Sequence, residues 1–361
     1  MKERSLIRVL VIDDSAFSRR TITRMLETSP LVKVVGSARD GEEALQKVFT
    51  LKPDLITLDL EMPRMDGFTF LRLVMAKKPT PVMVISGRTG EDEVFKALEL
   101  GAVDFIAKPT PRPTPELETI QQEVIRKVHA IRQLRIDKVK QRVDHPAEMT
   151  MPAHAPRHLP RDHRVVVIGS STGGPAALMQ VFGSFAEPPP CAILVSQHMP
   201  QGFTKGFAER VDRLTCLKAR EARDGDLVES GTVLIAPGGQ HLEIESVAGQ
   251  AATHLAARGP GEKYAPSVDR LFRSAAKAFG RNLTALVLTG MGNDGRNGVL
   301  DVKQHGGTVI AESEETAVIF GMPAQAIQTG AVDAVLPLGE IGKAIQDGIA
   351  PHEGSSGKGS Q

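Results

Sequence analysis

Five short apolar runs, each followed by a segment of helical period, constrain the fold of this chain more than any other feature. "IRVLVI" (7–12), "VKVVGS" (32–37), "DLITLD" (54–59), "PVMVIS" (81–86) and "VDFIAK" (103–108) have the length and apolar density of buried strands. Between them, segments near 15–28, 40–51, 66–77 and 91–100 repeat apolar residues at three- and four-residue steps, as amphipathic helices do. Strand and helix alternating at this interval predict a parallel sheet covered on both faces.

The pattern resumes in the second half. Strands are expected at 164–169, 191–198, 231–237, 241–246, 284–290, 307–313 and 334–338, with helical segments between several of them. The runs 231–237 and 241–246, joined by "GGQ", predict an antiparallel hairpin inside an otherwise parallel sheet. A helix starts at "TPELE", where Thr114 can cap, Pro115 suits the first turn and Glu116 and Glu118 meet the positive helix end. Its stripe (Leu117, Ile120, Val124, Val128, Ile131, Leu134) is long enough to predict a stalk leaving the first domain. From Asp144 to Arg164 the text turns rich in Pro, His and Arg and reads as a linker. The spacing of His145, His154, His158 and His163 among prolines fits no metal site. The expected division is therefore 1–125, a first α/β domain; 126–162, a helical extension and linker; 163–349, a mostly parallel α/β domain; and 350–361, a disordered tail.

A chain of 361 residues suits two such domains. With 41% apolar and 24% charged residues it is expected to be globular, and a net charge of +1 argues against nucleic acid or an anionic membrane as partner. No apolar run approaches the roughly 18 residues of a membrane span, and the opening "MKERSLIRVLVIDD" is not expected to act as a signal peptide. A cytoplasmic, monomeric protein that is not inserted in a membrane is expected, with Cys191 and Cys216 as buried thiols.

Asp13 and Asp14 follow the first strand, Asp59 ends the third, Ser86 the fourth, and Lys108 the fifth. In a doubly wound sheet the carboxyl ends of neighbouring strands converge on one crevice. Three carboxylates meeting there call for a hard divalent cation such as Mg2+, which with a Lys and a hydroxyl can steady a phosphoryl group. "VLVIDDS", "LITLDLEMPRMDGFTFL", "VMVIS" and "DFIAKP" resemble the receiver domain of two-component response regulators, a (βα)5 flavodoxin-like fold. The resemblance implies Asp59 as phosphoacceptor and Asp13, Asp14, Asp59 and the carbonyl of Glu61 around Mg2+. It also implies that Ser86 and Lys108 contact the phosphoryl group.

The second domain shows neither a helix-turn-helix pattern nor a basic stripe, so a DNA-binding output is not expected. "VVVIGSSTGG" (165–174) is open to two readings: an anion-binding turn at a helix start, or the G-x-S-x-G turn that exposes a nucleophile at Ser171. A nucleophile needs a base and an acid that orients the base. His198 ends the next strand and Asp294 follows another, in "LTGMGNDG". Their order, Ser-His-Asp, is not that of α/β-hydrolases. His241 is a rival that could line the groove; His254 and His305 read as surface residues, Asp269 as a helix start or cap and Asp301 as a helix-face residue.

"IGSSTGGPAAL", "VSQHMPQGFTKGFAERVD", "IAPGGQHLEI", "PSVDRLFRSAA", "LTGMGNDGRNGV" and "AESEETAVIFGMP" together resemble the catalytic domain of chemotaxis protein-glutamate methylesterases. The resemblance implies hydrolysis of glutamyl methyl esters on chemoreceptors and deamidation of receptor glutamines. Ser171 would be the nucleophile, His198 the base and Asp294 its orienting acid, with the N–H groups of Thr172 and Met291 binding the oxyanion. It further implies a chemotaxis histidine kinase as phosphoryl donor and no cofactor in the catalytic domain. The alternative is a response regulator whose second domain only binds a partner or a nucleotide.

Overall fold

The computed structural model describes residues 6–86, 91–108, 115–144, 164–247 and 249–348. Residues 145–163 of the expected linker, with its four histidines, the Thr114 cap, the Ser86 side chain and the tail lie outside them. The chain forms β1 (Ile7–Ile12), α1 (Ala16–Glu27), β2 (Val32–Ala38), α2 (Gly41–Leu51), β3 (Leu55–Leu58), α3 (Gly67–Lys77), β4 (Val82–Ser86), α4 (Glu91–Glu99), β5 (Asp104–Ala107) and α5 (Pro115–Ala130). These strands make one parallel sheet in the order β2-β1-β3-β4-β5, so the carboxyl ends of β1 and β3 lie side by side. The inner strands β1, β3 and β4 carry core residues on both faces because helices cover both. Local chemistry sets the helix starts: Ser15, Asp40 and Asp66 accept hydrogen bonds from the N–H three residues on.

The stalk does not form. α5 ends at Ala130, a 3-10 turn covers Ile131–Gln133, and Leu134 turns extended. Leu134 then bridges Ile319 of the second domain, and Arg135 N–H donates to the Val318 carbonyl at 3.0 Å. The end of the apolar stripe is thus spent on tertiary docking, and α6 (Ile136–Asp144) starts afresh.

The second domain runs β6 (Arg164–Ser170), α7 (Gly174–Gly183), β7 (Cys191–Gln197), α8 (Thr204–Leu214), β8 (Lys218–Glu221), β9 (Thr232–Ile235), β10 (Gln240–Val247), β11 (Gln250–Ala257), α9 (Val268–Phe279), β12 (Leu283–Val287), α10 (Arg296–Gln304), β13 (Thr308–Glu312), α11 (Met322–Ile327), β14 (Ala334–Leu336) and α12 (Leu338–Asp347). Seven strands form a parallel sheet in the order β14-β13-β12-β6-β7-β9-β8. An antiparallel hairpin is present, but its strands are not the expected ones. Both edges of β9 are occupied by parallel β7 and β8, and Gly239 (φ 85°) helps turn the chain away. β10 therefore pairs with β11 in a separate two-stranded ribbon.

Candidate active site

Parallel pairing of β6 with β7 matches Ser170 with Gln197, so the next residues along, Ser171 and His198, leave adjacent strands together. Their backbones are tied by one side chain. Gln197 Nε2 donates to the carbonyls of Ser171 (2.9 Å) and His198 (3.0 Å), while its Oε1 accepts from Ser170 Oγ at 2.6 Å. Ser170 is fully buried by this bond, whereas Ser171 is half-buried. Gly174 is required beside it, because a Cβ there would collide with the Gln197 amide oxygen.

Beyond β12 the Gly-rich turn comes close to the serine. A Cβ on Gly290 would lie 2.8 Å from Ser171 Cβ, so glycine at this position brings Met291 alongside. Among the described residues, neither Thr172 N–H nor Met291 N–H donates to a protein acceptor. Further along the same turn, Asp294 Oδ2 meets His198 Nε2 at 2.8 Å, while His198 Nδ1 is buried without a hydrogen-bond partner among the described residues. The start of α9 grips the carboxylate: Ser267 Oγ (3.1 Å) and Asp269 N–H (2.9 Å) donate to Oδ1, and Val268 N–H (2.8 Å) to Oδ2. Burial pushes the Asp294 carboxyl up, but His198 and these backbone donors outweigh it, and its pKa lies below the ordinary value. The aspartate stays ionised, ready to orient an imidazole and stabilise its cation.

The rivals fall elsewhere. His241 is fully buried and bound through Nε2 to Glu262 at 2.7 Å, lining a small cavity of about 190 Å³ next to Asp294. Ser267, not Asp269, caps α9; Asp269 accepts from the N–H groups of Gly295 and Gly298 and so fixes the turn that carries Asp294. Asp301 lies on α10 and pairs with Arg273. His254 pairs with Asp224 on the ribbon, and His305 follows the end of α10. Two participants had no expectation attached. Gln197 braces the turn, and Tyr264 stacks on His198 with ring centroids 4.4 Å apart and planes 7° apart.

In the first domain, one oxygen from each of Asp13, Asp14 and Asp59 lies within 4.8 Å of the others. Lys108 Nζ reaches Asp59 (2.6 Å) and Asp13 (3.1 Å). Burial raises the Asp59 pKa to about 6, with the Lys108 hydrogen bond opposing and the Asp13 charge adding to the rise. This all-carboxylate, hard-oxygen set suits Mg2+.

The two centres are joined through a buried contact. Asp104, on the strand that ends near Lys108, accepts from Thr172 Oγ1 at 2.5 Å and from Lys127 Nζ at 2.8 Å. Phe105 packs on Phe203 (4.7 Å) and Phe95 on Phe207 (5.5 Å) around it.

Each half of the chain resembles known proteins. The CheB methylesterase family profile matches residues 166–345, and the response regulator receiver profile matches 9–118. A protein-glutamate methylesterase/protein-glutamine glutaminase of Geobacter sulfurreducens is 48% identical over 358 residues, covering 94% of this chain and 96% of its own. One from Myxococcus xanthus is 50% identical over 346 residues, covering 96% and 98%.

The chain belongs to the protein-glutamate methylesterase/protein-glutamine glutaminase family.

The Thermotoga maritima CheB methylesterase catalytic domain superposes with a TM-score of 0.50 at 42% identity, over 52% of this chain and 99% of that one. As a methylesterase with a receiver, the protein is a phosphorylation-regulated hydrolase of chemotaxis and not a regulator with a non-catalytic output. Receivers bind Mg2+ for phosphorylation, a role that the carboxylate set fits. Among the described residues no helix is long and apolar enough to cross a membrane.

Proposed function

We propose that Ser171, His198 and Asp294 hydrolyse glutamyl methyl esters, and deamidate selected glutamines, on the cytoplasmic helices of chemoreceptors. The observation that carries this reading is His198 held at Nε2 by a buried, ionised Asp294, at the strand end beside Ser171, with Nδ1 unpartnered among the described residues. Nδ1 takes the Ser171 proton as Oγ bonds to the ester carbonyl carbon. The oxyanion that forms is met by the N–H groups of Thr172 and Met291, each worth about 3–4 kcal/mol in comparable hydrolases. As the intermediate collapses, the imidazolium protonates the methoxy oxygen and the acyl C–O bond breaks to release methanol; with a glutamine it protonates the amide nitrogen, the C–N bond breaks and ammonia leaves. A water activated by His198 then releases the glutamate and restores Ser171.

The same proposal makes residues 1–125 the receiver, 126–162 the connection and 163–349 the catalytic domain, working in the cytoplasm as a monomer. Asp59 accepts a phosphoryl group from a chemotaxis histidine kinase, with Ser86 and Lys108 on its oxygens. Asp13, Asp14, Asp59 and the Glu61 carbonyl hold Mg2+, which neutralises the charge of the incoming group. Unphosphorylated, the receiver sits against Thr172 and blocks receptor access; phosphorylation shifts the population to a separated form. Receptor membranes carrying labelled methyl esters test the activity. The wild-type chain is expected to release labelled methanol, more so after phosphodonor treatment. No release under either condition would end this reading.

A further inference from the structure

We propose that Tyr264 is a positioning residue of the esterase site, holding the His198 imidazole by its face. The inference rests on the hydrolytic reading above. Asp294 grips His198 at one edge only, through Nε2. A single edge contact leaves the ring free to rock about that bond, and each tilt changes where Nδ1 points. The Tyr264 ring lies flat against the imidazole, 4.4 Å between centroids and 7° between planes, and blocks that motion on one side.

Tyr264 is itself placed by the segment that holds the acid. Just before it, Glu262 is tied to His241 (2.7 Å) and to Arg270 (3.0 Å). Just after it, the Ala265 carbonyl accepts from Gly239 N–H at 3.1 Å, and Ser267, Val268 and Asp269 grip Asp294. One loop therefore fixes both the edge and the face of His198. Gly292 makes room, since a Cβ there would collide with the Tyr264 hydroxyl. That hydroxyl is buried without a hydrogen-bond partner among the described residues, so the contribution of Tyr264 runs through its ring and not its polar end. Arg126 of α5 and Lys263 also approach the ring, at 5.0 and 4.9 Å from its centroid. A rival role, as a seat for Arg126, predicts the opposite effect on resting activity.

The test uses the full chain and receptor membranes with labelled methyl esters. Tyr264→Leu is expected to lower kcat about ten- to a hundredfold, the scale of a misaimed catalytic group, with KM unchanged. Tyr264→Phe, which keeps the face, is expected to retain wild-type kcat. In a His198→Ala background, Tyr264→Leu should cost nothing further. The chain has one tyrosine and no tryptophan, so its intrinsic emission reports Tyr264 alone. That emission should change in His198→Ala and not in His305→Ala. A rise in resting activity with Tyr264→Leu, a Phe variant as impaired as Leu, an undiminished loss without His198, or emission indifferent to His198 would each overturn the proposal. Equal methanol release by wild type and Ser171→Ala would remove the hydrolytic reading itself, an outcome distinct from any Tyr264-specific failure.

Discussion

Replacing Thr172 by Val is expected to raise the activity of the unphosphorylated enzyme. Its hydroxyl donates to Asp104 at 2.5 Å across the domain boundary, and both residues are nearly inaccessible, at 4% and 6% exposure. A hydrogen bond to a charged group contributes about 1.5–3 kcal/mol. In the separated form water replaces the partner, so the loss falls on the docked form alone. At about 1.4 kcal/mol per factor of ten, the docked-to-separated ratio drops roughly ten- to a hundredfold. Asp104 keeps Lys127, whose pKa stays raised because Asp104 and Glu123 outweigh the penalty of its burial, so the receiver itself is not unbalanced. Valine keeps the Thr172 N–H needed at the oxyanion. The assay is methanol release from methyl-labelled receptors by the full chain, with and without a small-molecule phosphodonor. Resting activity should climb toward the phosphorylated level, and the ratio between the two should shrink. An unchanged ratio would refute the reasoning that this contact holds the receiver down.

Asp59→Asn should abolish activation by phosphodonor while leaving resting activity intact; retained activation would place the acceptor elsewhere. Mg2+ affinity of the receiver should rise as pH increases to about 6 and level off above it, because a proton on the buried Asp59 competes with the metal. The sign for metal-free stability is opposite: with its folded pKa raised above 3.8, Asp59 favours folding at low pH and loses that contribution as pH rises through about 6. Mg2+ should therefore raise the melting temperature more at neutral pH than below 6, and an equal rise at both would contradict the assignment. Arg142→Met should destabilise the full chain by about 3–5 kcal/mol in urea unfolding, because Glu312, fully buried, loses its counter-charge at 3.1 Å. Adding Glu312→Gln should recover part of this, and a loss under about 1 kcal/mol would mean that the pair carries little buried charge.

The parallel sheets were legible in the sequence because their strands are buried on both faces and read as apolar runs, as in "CAILVSQ" and "TVIAE". Edges and ribbons were not. β8 reads "KARE", polar at an exposed edge, and β11 reads "QAATHLAA", whose inward residues are too small to stand out. The false hairpin arose because a glycine turn between two apolar runs has the same local chemistry whether the strands pair or part. The stalk was misread because helical period cannot tell packing on one's own domain from docking on the next. At the site, strand-end logic brought His198 and Asp294 together, since a parallel sheet gathers its carboxyl ends. Gln197 and Tyr264 escaped because they act on a backbone and on a ring face, and neither leaves a spacing to detect.

The most direct test compares Ser171→Ala with Ser170→Ala in the release of labelled methanol from methylated receptor. Loss of roughly a thousandfold or more is expected for Ser171→Ala, as for removal of a serine nucleophile elsewhere. Ser170→Ala, which removes only a buried bond to Gln197, should keep most of the activity. Comparable release by Ser171→Ala and wild type, or loss confined to Ser170→Ala, would contradict the account.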